Sequence, residues 1–358
     1  MRLVEAILAE GLDIIINKYV LKSKRHTVYN NLILLKYNQI ESPRKHEIVD
    51  SCRGIILDEA NNYNVVCYPY NRFYNYNEGV SESIDWSSSK IYEKLDGSLM
   101  TLYYYNNDWH VSTSGTPDAL GSVQDNLTFK DLFWNIWNNL NYKLPQETNF
   151  CYMFEMVSPL NTIIVKHKED VLYLHGARNL STLQEVDPIV IAQKYNWKHA
   201  PIYNFNNLSS LLDVLKNVEP TQQEGFVVCD KNFNRIKIKS EQYVALHHLA
   251  TSCIENSMSD LRLITIIQNN EGSEFLNYFP KYKERHTQLT EKFQELYQKI
   301  ITSYNQAPLN VSQKDFALYV QQYKWKALLF SFRNGRINSF LEGLREMRAE
   351  YVLDWLRS

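Results

Sequence analysis

The sequence predicts an α+β protein, with a mixed domain over residues 1–244 followed by an all-helical domain over residues 245–358. Two observations support this division. Runs rich in β-branched and aromatic residues, broken by turn-forming residues, recur until about residue 240. Beyond about residue 243, apolar residues recur instead at the three- and four-residue spacing of amphipathic helices.

The elements of the mixed domain follow from these two periodicities. The N-terminus begins with an amphipathic pattern in which Val4, Ile7, Leu8 and Leu12 share one helical face. Strands are predicted over 55–57, 65–68, 99–104, 152–157 and 171–174, and helices over 129–140, 188–195 and 208–218. The runs 226–229 and 235–239 predict a hairpin, because the five residues between them favour a turn.

The helical domain is predicted from longer patterns. Apolar residues recur at helical spacing over 293–300 and again over 340–347. Residues 281–358 contain 13 lysines and arginines against 8 acidic residues, and Tyr323, Lys324, Trp325 and Lys326 interleave aromatics with cations, ahead of Arg333 and Arg336. This pattern suits contact with RNA phosphates and bases, although an amphipathic core helix with a solvated basic face would show it too.

Composition narrows the class of protein. With 358 residues, 44% of them hydrophobic, the chain can bury the cores of two domains. The net charge of −2 means that any nucleic-acid binding must depend on a local patch. Five cysteines without C-x-x-C spacing argue against a disulfide framework and a zinc site. No apolar run approaches 18 residues, so we expect a cytoplasmic protein that does not bind membranes. We also expect a monomer.

Five short segments carry the chemistry. In chain order they are Ser51–Gly54, Glu93–Ser98, Phe154–Pro159, Glu224–Val228 and Lys237–Ser240. The candidate nucleophile among them is Lys94. Three further cations are Arg53, Lys237 and Lys239, and the three carboxylates are Asp96, Glu155 and Glu224. Such a set can transfer a nucleotide from a triphosphate to a lysine whose charge the site disfavours.

Each segment taken alone also has a simpler explanation. Leu95–Ser98 is ordinary hairpin-turn chemistry, which would leave Lys94 in solvent. Lys237 and Lys239, two residues apart, would share one face of a strand, and that face could be a solvated edge. Glu155 and Glu224 could lie on the solvent faces of their strands, since only a buried carboxylate requires a partner.

The ordered set as a whole resembles the covalent nucleotidyltransferases, which comprise ATP-dependent RNA ligases, DNA ligases and mRNA capping enzymes. Within them it is most similar to the phage RNA ligase 1 family of tRNA-repair ligases. The likeness extends to the segments 52–58, 69–78, 154–159 and 237–247 and covers about residues 30–250. It implies an ATP-grasp-like adenylyltransferase domain with antiparallel sheets over 1–244, and an all-helical RNA-specificity domain over 245–358.

The resemblance also implies the role of each site residue. Lys94 would attack the α-phosphorus of ATP, and Asp96 would position this lysine and its metal-bound water, beside the turn at Gly97. Glu224 and Asp96 would hold Mg²⁺ or Mn²⁺. Glu155 would accept a hydrogen bond from the ribose. The remaining nucleotide contacts would come from Tyr37, Arg53, Arg72, Lys237 and Lys239.

Two positions depart from the family pattern. Arg72 stands where family members often have lysine, which keeps the charge but changes the geometry. Ser114 stands where the family often has a lysine before glycine, so one phosphate contact must come from another lysine or arginine or be absent.

The resemblance implies an ATP-dependent RNA ligase that seals 5′-phosphate and 3′-hydroxyl RNA ends, nicked tRNA among them, through a lysyl-AMP and an AMP-capped RNA intermediate. Two alternatives stay open at this point. A capping-type or DNA-joining enzyme usually has an OB-type β-domain after the lysine pair, where this sequence predicts helices. A non-catalytic RNA-binding relative would have no need to keep all of Lys94, Glu155, Glu224, Lys237 and Lys239.

Overall fold

The computed structural model describes the whole chain except residues 40, 77, 80, 125, 206, 250–259, 309, 310 and 358. The chain divides into two compact units, Met1–His247 and His248–Ser358, whereas the sequence placed the division after residue 244. Four cysteines are buried free thiols: Cys52, Cys67, Cys151 and Cys229. The fifth, Cys253, lies outside the described residues.

The first unit contains all the strands assigned in the described residues. They are β1 (Leu21–Arg25), β2 (Leu32–Tyr37), β3 (Arg53–Asp58), β4 (Asn64–Cys67), β5 (Tyr74–Asn75), β6 (Lys90–Lys94), β7 (Ser98–Tyr105), β8 (Asp108–Thr113), β9 (Ser122–Gln124), β10 (Leu127–Thr128), β11 (Phe150–Val157), β12 (Val171–Asn179), β13 (Glu185–Val186), β14 (Ile202–Tyr203), β15 (Gly225–Cys229) and β16 (Arg235–Lys239).

Helices occur in both units. Those that begin in the first unit are α1 (Arg2–Glu10), α2 (Leu12–Tyr19), α3 (Glu47–Ser51), α4 (Phe129–Asn139), α5 (Pro188–Tyr195), α6 (Leu208–Leu215) and α7 (Glu241–Leu249). Those of the second unit are α8 (Asp260–Gln268), α9 (Gly272–Tyr278), α10 (Lys283–Asn305), α11 (Gln313–Val320), α12 (Lys326–Arg333), α13 (Phe340–Glu346) and α14 (Ala349–Leu356).

The strands form three larger sheets and one small pair. The spatial orders are β1-β2-β3-β4, β13-β12-β11-β7-β8 and β14-β6-β15-β16-β5, with β9 paired to β10. Neighbouring strands are antiparallel except β5 and β16, which pair in parallel over two residues. The predicted α+β class, with antiparallel sheets and C-terminal helices, is therefore confirmed.

The N-terminal pattern forms two helices, where the sequence predicted one. Gly11 separates α1 from α2 with a φ of 98°, a conformation that favours glycine. Ile7 and Leu12 are buried as the apolar pattern predicts, but Leu8 is 57% exposed. The assignment of Leu8 to the apolar face was therefore wrong.

The two central strands of the first sheet, β2 and β3, are buried on both faces. Ile33 and Leu35 of β2 join the apolar cluster of α1 and α2, whereas Leu32 and Leu34 face Tyr103 and other apolar residues on the opposite side. This follows from the alternation of side chains along a strand. The helix α3 lies between β2 and β3, in a stretch where the sequence predicted strands.

The predicted helix over 129–140 is α4, which covers the second sheet. Thr128 caps it through its hydroxyl, which accepts a hydrogen bond from Asp131 N at 3.1 Å. The Asp131 carboxylate accepts from Thr128 N in return, which completes a capping box. Phe133 and Trp137 then pack on Phe154 of β11.

An ionic triad buried in the first unit connects the second and third sheets. Glu185 of β13 accepts from Arg178 Nη2 at 2.9 Å and from Arg235 Nη2 at 2.5 Å. All three side chains are less than a tenth exposed. Removing one partner of such a group leaves a buried charge without compensation, so the triad fixes how the two sheets meet.

The second unit is helical throughout its described part. Gln268, at the end of α8, donates hydrogen bonds of 2.8 Å to the carbonyls of Leu344 and Met347. These bonds attach α8 to the end of α13. Among the described residues of the chain, no helix combines the length and apolar character needed to cross a bilayer.

Candidate active site

Seven of the ten predicted site residues line a cavity of about 590 Å³ in the first unit, and Arg72, Asp96 and Glu224 are not among the lining residues. This volume lies within the range of roughly 300–1,000 Å³ that is usual for small-molecule sites. The predicted residues that line it are Tyr37, Arg53, Lys94, Gly97, Glu155, Lys237 and Lys239. The segments 53, 94–97, 155 and 237–239 are thus brought together although they are far apart in sequence.

Lys94 ends β6 at the centre of the third sheet. Its paired residue on the neighbouring strand β15 is Gly225. Glu224 comes immediately before Gly225 and therefore lies close to Lys94. Lys94 Nζ lies 2.5 Å from Glu224 Oε2, and Lys239 Nζ lies 3.5 Å from Glu224 Oε1. Glu224 is 5% exposed, against 24% for Lys94. One buried carboxylate therefore compensates two ammonium groups.

Close backbone packing at Gly225 makes this arrangement possible. A Cβ at this position would lie 2.1 Å from the Ile238 carbonyl oxygen and 2.7 Å from Lys239 Cα. No side chain fits that space. The glycine between Glu224 and the apolar run thus allows β15 to approach β16 and brings Glu224 between the two lysines.

The lysines of β16 share one face of the strand. Lys237 and Lys239 both line the cavity, as the two-residue spacing predicts. Arg235, two residues earlier, lines the same cavity, but its guanidinium is bound to Glu185. The sequence analysis missed Arg235, although its spacing from Lys237 could have indicated it.

Asp96 does not line the cavity. Its Oδ2 accepts hydrogen bonds from Ile164 N at 2.8 Å and Val165 N at 2.7 Å, and its Oδ1 accepts from the Tyr243 hydroxyl at 2.9 Å. The carboxylate is 3% exposed and anchors a loop and a helix next to the nucleophile. The metal pair of Asp96 and Glu224 therefore stays a prediction.

The possible metal donors in this site are few. Among the described residues there is no group of three or more histidine, cysteine, aspartate or glutamate side chains that could hold a metal ion. A magnesium or manganese ion bound here would need substrate phosphates and water as its main ligands. This fits the usual coordination of Mg²⁺, which takes one or two protein carboxylates and the phosphates of the substrate.

Glu155 faces the cavity from β11 and belongs to a polar chain that the sequence did not indicate. Its Oε2 lies 3.3 Å from His175 Nε2. The other ring nitrogen of His175 lies 2.7 Å from the Tyr70 hydroxyl, and the two rings stack. Both His175 and Tyr70 line the cavity. Glu155, which the resemblance assigns to the ribose, therefore lies beside His175, although no hydrogen bond within the described residues joins the two side chains.

Arg53 and Arg72 occupy different environments. Arg53 lines the cavity, with its guanidinium 5.1 Å from the centre of the Phe73 ring and a buried Nη1 that has no hydrogen-bond partner. Arg72 is not among the lining residues. Its guanidinium lies 4.2 Å from the centre of the Tyr37 ring, so it contacts the cavity through this tyrosine.

Gly97 is required by close packing on β11. A Cβ at this position would lie 2.5 Å from the Met156 carbonyl oxygen and 3.0 Å from Val157 Cγ1. The sequence interpreted Gly97 as the residue of a tight turn beside a nucleotide. The structure adds that Gly97 lets the segment after Lys94 lie directly against the strand that presents Glu155.

The electrostatics of the cavity wall include Glu93, which the sequence analysis also missed. Burial raises the pKa of Glu93, and a hydrogen bond from the Tyr203 hydroxyl at 2.9 Å opposes this shift. Glu93 lies next to Lys94 on β6, and both line the cavity.

Comparisons with known proteins find similarity to RNA ligases. A family model described as RNA ligase matches residues 51–243. A protein of Autographa californica nuclear polyhedrosis virus, provisionally named a bifunctional polynucleotide kinase/RNA ligase, is 30% identical over 91% of this chain, but the chain spans 48% of its length. An RNA ligase of Rhodothermus phage RM378 is 25% identical, over 84% of this chain and 85% of its own length.

Solved structures similar to this chain include RNA ligase structures from Naegleria gruberi. One with pyrophosphate is 18% identical over 45% of this chain and 52% of its own, with a TM-score of 0.35. A mutant form with ATP and manganese gives 18% identity, the same 45% of this chain, 51% of its own and a TM-score of 0.34.

Proposed function

The chain belongs to the RNA ligase family, and from this premise we propose that it is an ATP-dependent ligase that seals 5′-phosphate and 3′-hydroxyl RNA ends. The observation that carries the proposal is the position of Lys94. Its amine contacts Glu224 in a cavity that Arg53, Lys237 and Lys239 also line. These cations can bind a triphosphate while the lysine attacks it.

The first step forms the lysyl-AMP. The Lys94 nitrogen attacks the α-phosphorus of ATP, a P–N bond forms, and the P–O bond to pyrophosphate breaks. Before it attacks, the Lys94 ammonium must release a proton to water. Lys237 and Lys239 bind the phosphates and stabilise the charge that develops on the leaving group.

The bound metal ion would stabilise negative charge on the phosphates and orient the leaving pyrophosphate. Glu224 would supply the protein's carboxylate to Mg²⁺ or Mn²⁺, with triphosphate oxygens and water as the other ligands. Glu155, which lies next to His175, would accept a hydrogen bond from the ribose. Tyr37 would pack against the nucleotide, with Arg72 behind its ring.

The two later steps join the RNA. The 5′-phosphate of one RNA end attacks the lysyl-AMP, so the P–N bond breaks and an AMP-capped RNA forms. The 3′-hydroxyl of the other end then attacks the RNA phosphate, releases AMP and leaves a phosphodiester bond. We propose repair of broken RNA, including nicked tRNA, as the setting, with the second unit as the RNA-selecting domain.

Sealing of a labelled RNA tests this function. A single-stranded RNA with a 5′-³²P-phosphate and a 3′-hydroxyl is incubated with ATP and Mg²⁺ or Mn²⁺, and the label is then tested for resistance to phosphatase. We expect protected, joined or circular RNA from the wild type and from Lys143→Ala, an exposed control. The Lys94→Ala variant should give none. RNA binding without AMP-capped or joined RNA in any arm would favour a non-catalytic binding protein.

A further inference from the structure

Three cations lie side by side across the first sheet. The β1–β2 register pairs Lys22 with Lys36, and the β2–β3 register pairs Lys36 with Arg53. Directly paired residues of antiparallel strands project to the same face, with Cβ atoms about 4.5–5.5 Å apart. We call these three residues the cation row. It crosses from Arg53 at the cavity to Lys22 on the edge strand β1.

A β-bulge creates the inner half of the row. Leu35 pairs with Ile55, but Lys36 pairs with Arg53, so Gly54 is an extra residue in β3. Gly54 has a φ of 94°, which favours glycine. Bulges of this kind re-aim neighbouring side chains. Without the bulge, Lys36 would lie opposite Gly54, so the bulge is what aligns the two cations.

The arrangement costs stability in the free protein, because like charges directly opposite each other repel. Burial lowers the pKa of Lys36, and the charges of Arg53 and Lys22 lower it further. Within the part of the chain that the structure describes, neither a hydrogen bond nor an ion pair engages the Lys36 amine. A buried Arg53 Nη1 also has no hydrogen-bond partner. Such a group of cations is suited to an anion.

The row lies beside the position where a family lysine is replaced. Lys36 Nζ is 3.8 Å from the point that a Cβ on Gly115 would occupy, and a Cβ on Gly54 would lie 3.1 Å from Ser114 Cα. The amine of Lys36 therefore reaches the Ser114–Gly115 loop from a neighbouring strand. A lysine at residue 114 and the lysine at residue 36 would serve the same region.

The ligand must extend beyond the nucleotide cavity. Arg53 lines the cavity, whereas Lys22 and Lys36 are not among its lining residues. A nucleotide held at Lys94 can contact the inner end of the row, but a ligand that also reaches β1 must be longer. An RNA strand whose phosphates neutralise successive cations has this property.

We propose that the cation row, Lys22, Lys36 and Arg53, binds the backbone of the RNA strand whose 5′-phosphate end receives AMP, and that Lys36 supplies the charge that Ser114 lacks. This inference rests on the proposed ligase function. It assigns the approach of the RNA strand to one face of one sheet, and it makes Lys36 an RNA-binding residue that leaves ATP binding to others.

The test compares Lys36→Met, Lys36→Met with Ser114→Lys, and Lys24→Met in the full chain. Lys24 is a matched control, since it is exposed on β1 and pairs with the apolar Leu34. Lysyl-AMP formation from labelled ATP, AMP transfer to 5′-phosphate RNA and the salt dependence of RNA binding are measured separately, with thermal melting as a check on folding.

For Lys36→Met we expect lysyl-AMP formation within about twofold of the wild type and AMP transfer to RNA reduced about 10- to 100-fold, the range for a lost charge-assisted contact. The slope of log affinity against log salt should fall by about one. Ser114→Lys should restore most of the transfer. The melting temperature should be no lower than that of the wild type, since the repulsion between Lys36 and its neighbouring cations is removed.

Several results would overturn the inference. An unchanged rate of transfer in Lys36→Met would exclude a role for the row. An equal loss of lysyl-AMP formation would place Lys36 on the nucleotide phosphates instead of RNA. If Ser114→Lys does not restore AMP transfer, Lys36 does not supply the charge that Ser114 lacks. Absence of lysyl-AMP in the wild type and Lys24→Met would be a different failure, since it would remove the proposed function itself.

Discussion

At the scale of single residues, the site depends on carboxylates whose partners differ in kind. Glu224 compensates Lys94 and Lys239, which are cations that the reaction would use. Asp96 binds backbone amides and a tyrosine hydroxyl, so its charge holds structure in place. Two acidic residues in short motifs near the same lysine therefore have different kinds of partner.

Residue types and their order predicted the members of the site but not their geometry. The order of the motifs predicted Lys94, Glu224 and Lys239 as site residues. In the structure, Glu224 contacts both lysines. Lys36 and His175 were missed, because their positions depend on bulges in β3 and β12 that a sequence pattern does not reveal. A bulge shifts a strand's pairing by one residue, and the strand's apolar alternation gives little sign of it.

Protonation of His26 provides a residue-scale prediction. Its Nδ1 accepts hydrogen bonds from Val28 N at 3.1 Å and Tyr29 N at 3.2 Å, so the folded protein needs the neutral ring. Burial lowers the pKa of His26. Below its ordinary value of 6.5 the unfolded chain takes up more protons, so stability is full above that pH and decreases as the pH falls through it.

The measurement is the free energy of unfolding by urea from about pH 7.5 to about 5.5, where one such group contributes at most about 1.4 kcal/mol per pH unit. The wild type should lose more stability over this interval than His26→Asn, whose side-chain oxygen can still accept from the backbone. Parallel curves for the two proteins would show that His26 is not the group responsible.

At the scale of elements, long periodic segments were predicted well and short pairings were not. The helix α4, the strands β11 and β12 and the hairpin of β15 and β16 appear where the sequence placed them. Strands of two or three residues, such as β5, β9 and β13, went unpredicted. A pairing so short has no period to detect, and its formation depends on the neighbouring sheet.

Close packing between elements leads to a second prediction, at Gly97. Replacement by alanine would place a Cβ 2.5 Å from the Met156 carbonyl of β11, so the two segments must move apart. We expect Gly97→Ala to lower the free energy of unfolding by about 1–3 kcal/mol, the usual cost of overpacking. Lysyl-AMP formation should also fall, because Lys94 precedes the displaced segment.

Gly79→Ala is the matched control for this change. A Cβ at Gly79 would meet nothing within 4 Å, so stability should change by much less. Equal unfolding free energies for Gly97→Ala and the wild type would mean that β11 yields to the added atom without cost. Urea unfolding of the three proteins distinguishes these results.

At the scale of the whole molecule, the division of labour between the two units is a proposal. We call Lys324, Lys326, Arg333 and Arg336 of the second unit the basic stripe. Part of the stripe is structural, since Arg333 donates to the Val311 carbonyl at 2.6 Å and Lys324 pairs with Asp354 at 3.1 Å. Lys326 and Arg336 are exposed. Their exposure leaves Lys326 and Arg336 accessible to RNA, and a role in RNA binding stays a prediction.

The exposed pair supports a third prediction. Lys326→Ala with Arg336→Ala should leave lysyl-AMP formation unchanged and reduce RNA sealing by about tenfold at moderate salt, through the loss of phosphate contacts. Lys314→Ala, another exposed cation of this unit, should change neither activity. A matching loss of lysyl-AMP formation in the double variant would contradict a role confined to RNA.

The central claim is that Lys94 becomes covalently adenylylated, and one measurement tests it most directly. The purified protein, freed of bound AMP, is incubated with α-³²P-labelled ATP or GTP and Mg²⁺ or Mn²⁺, beside Lys94→Ala, and then run on a denaturing gel. Label from ATP that stays with the wild-type chain and is absent from the variant is the predicted result. Wild-type protein that takes no label from either nucleotide, or a variant labelled as strongly as the wild type, would contradict the account.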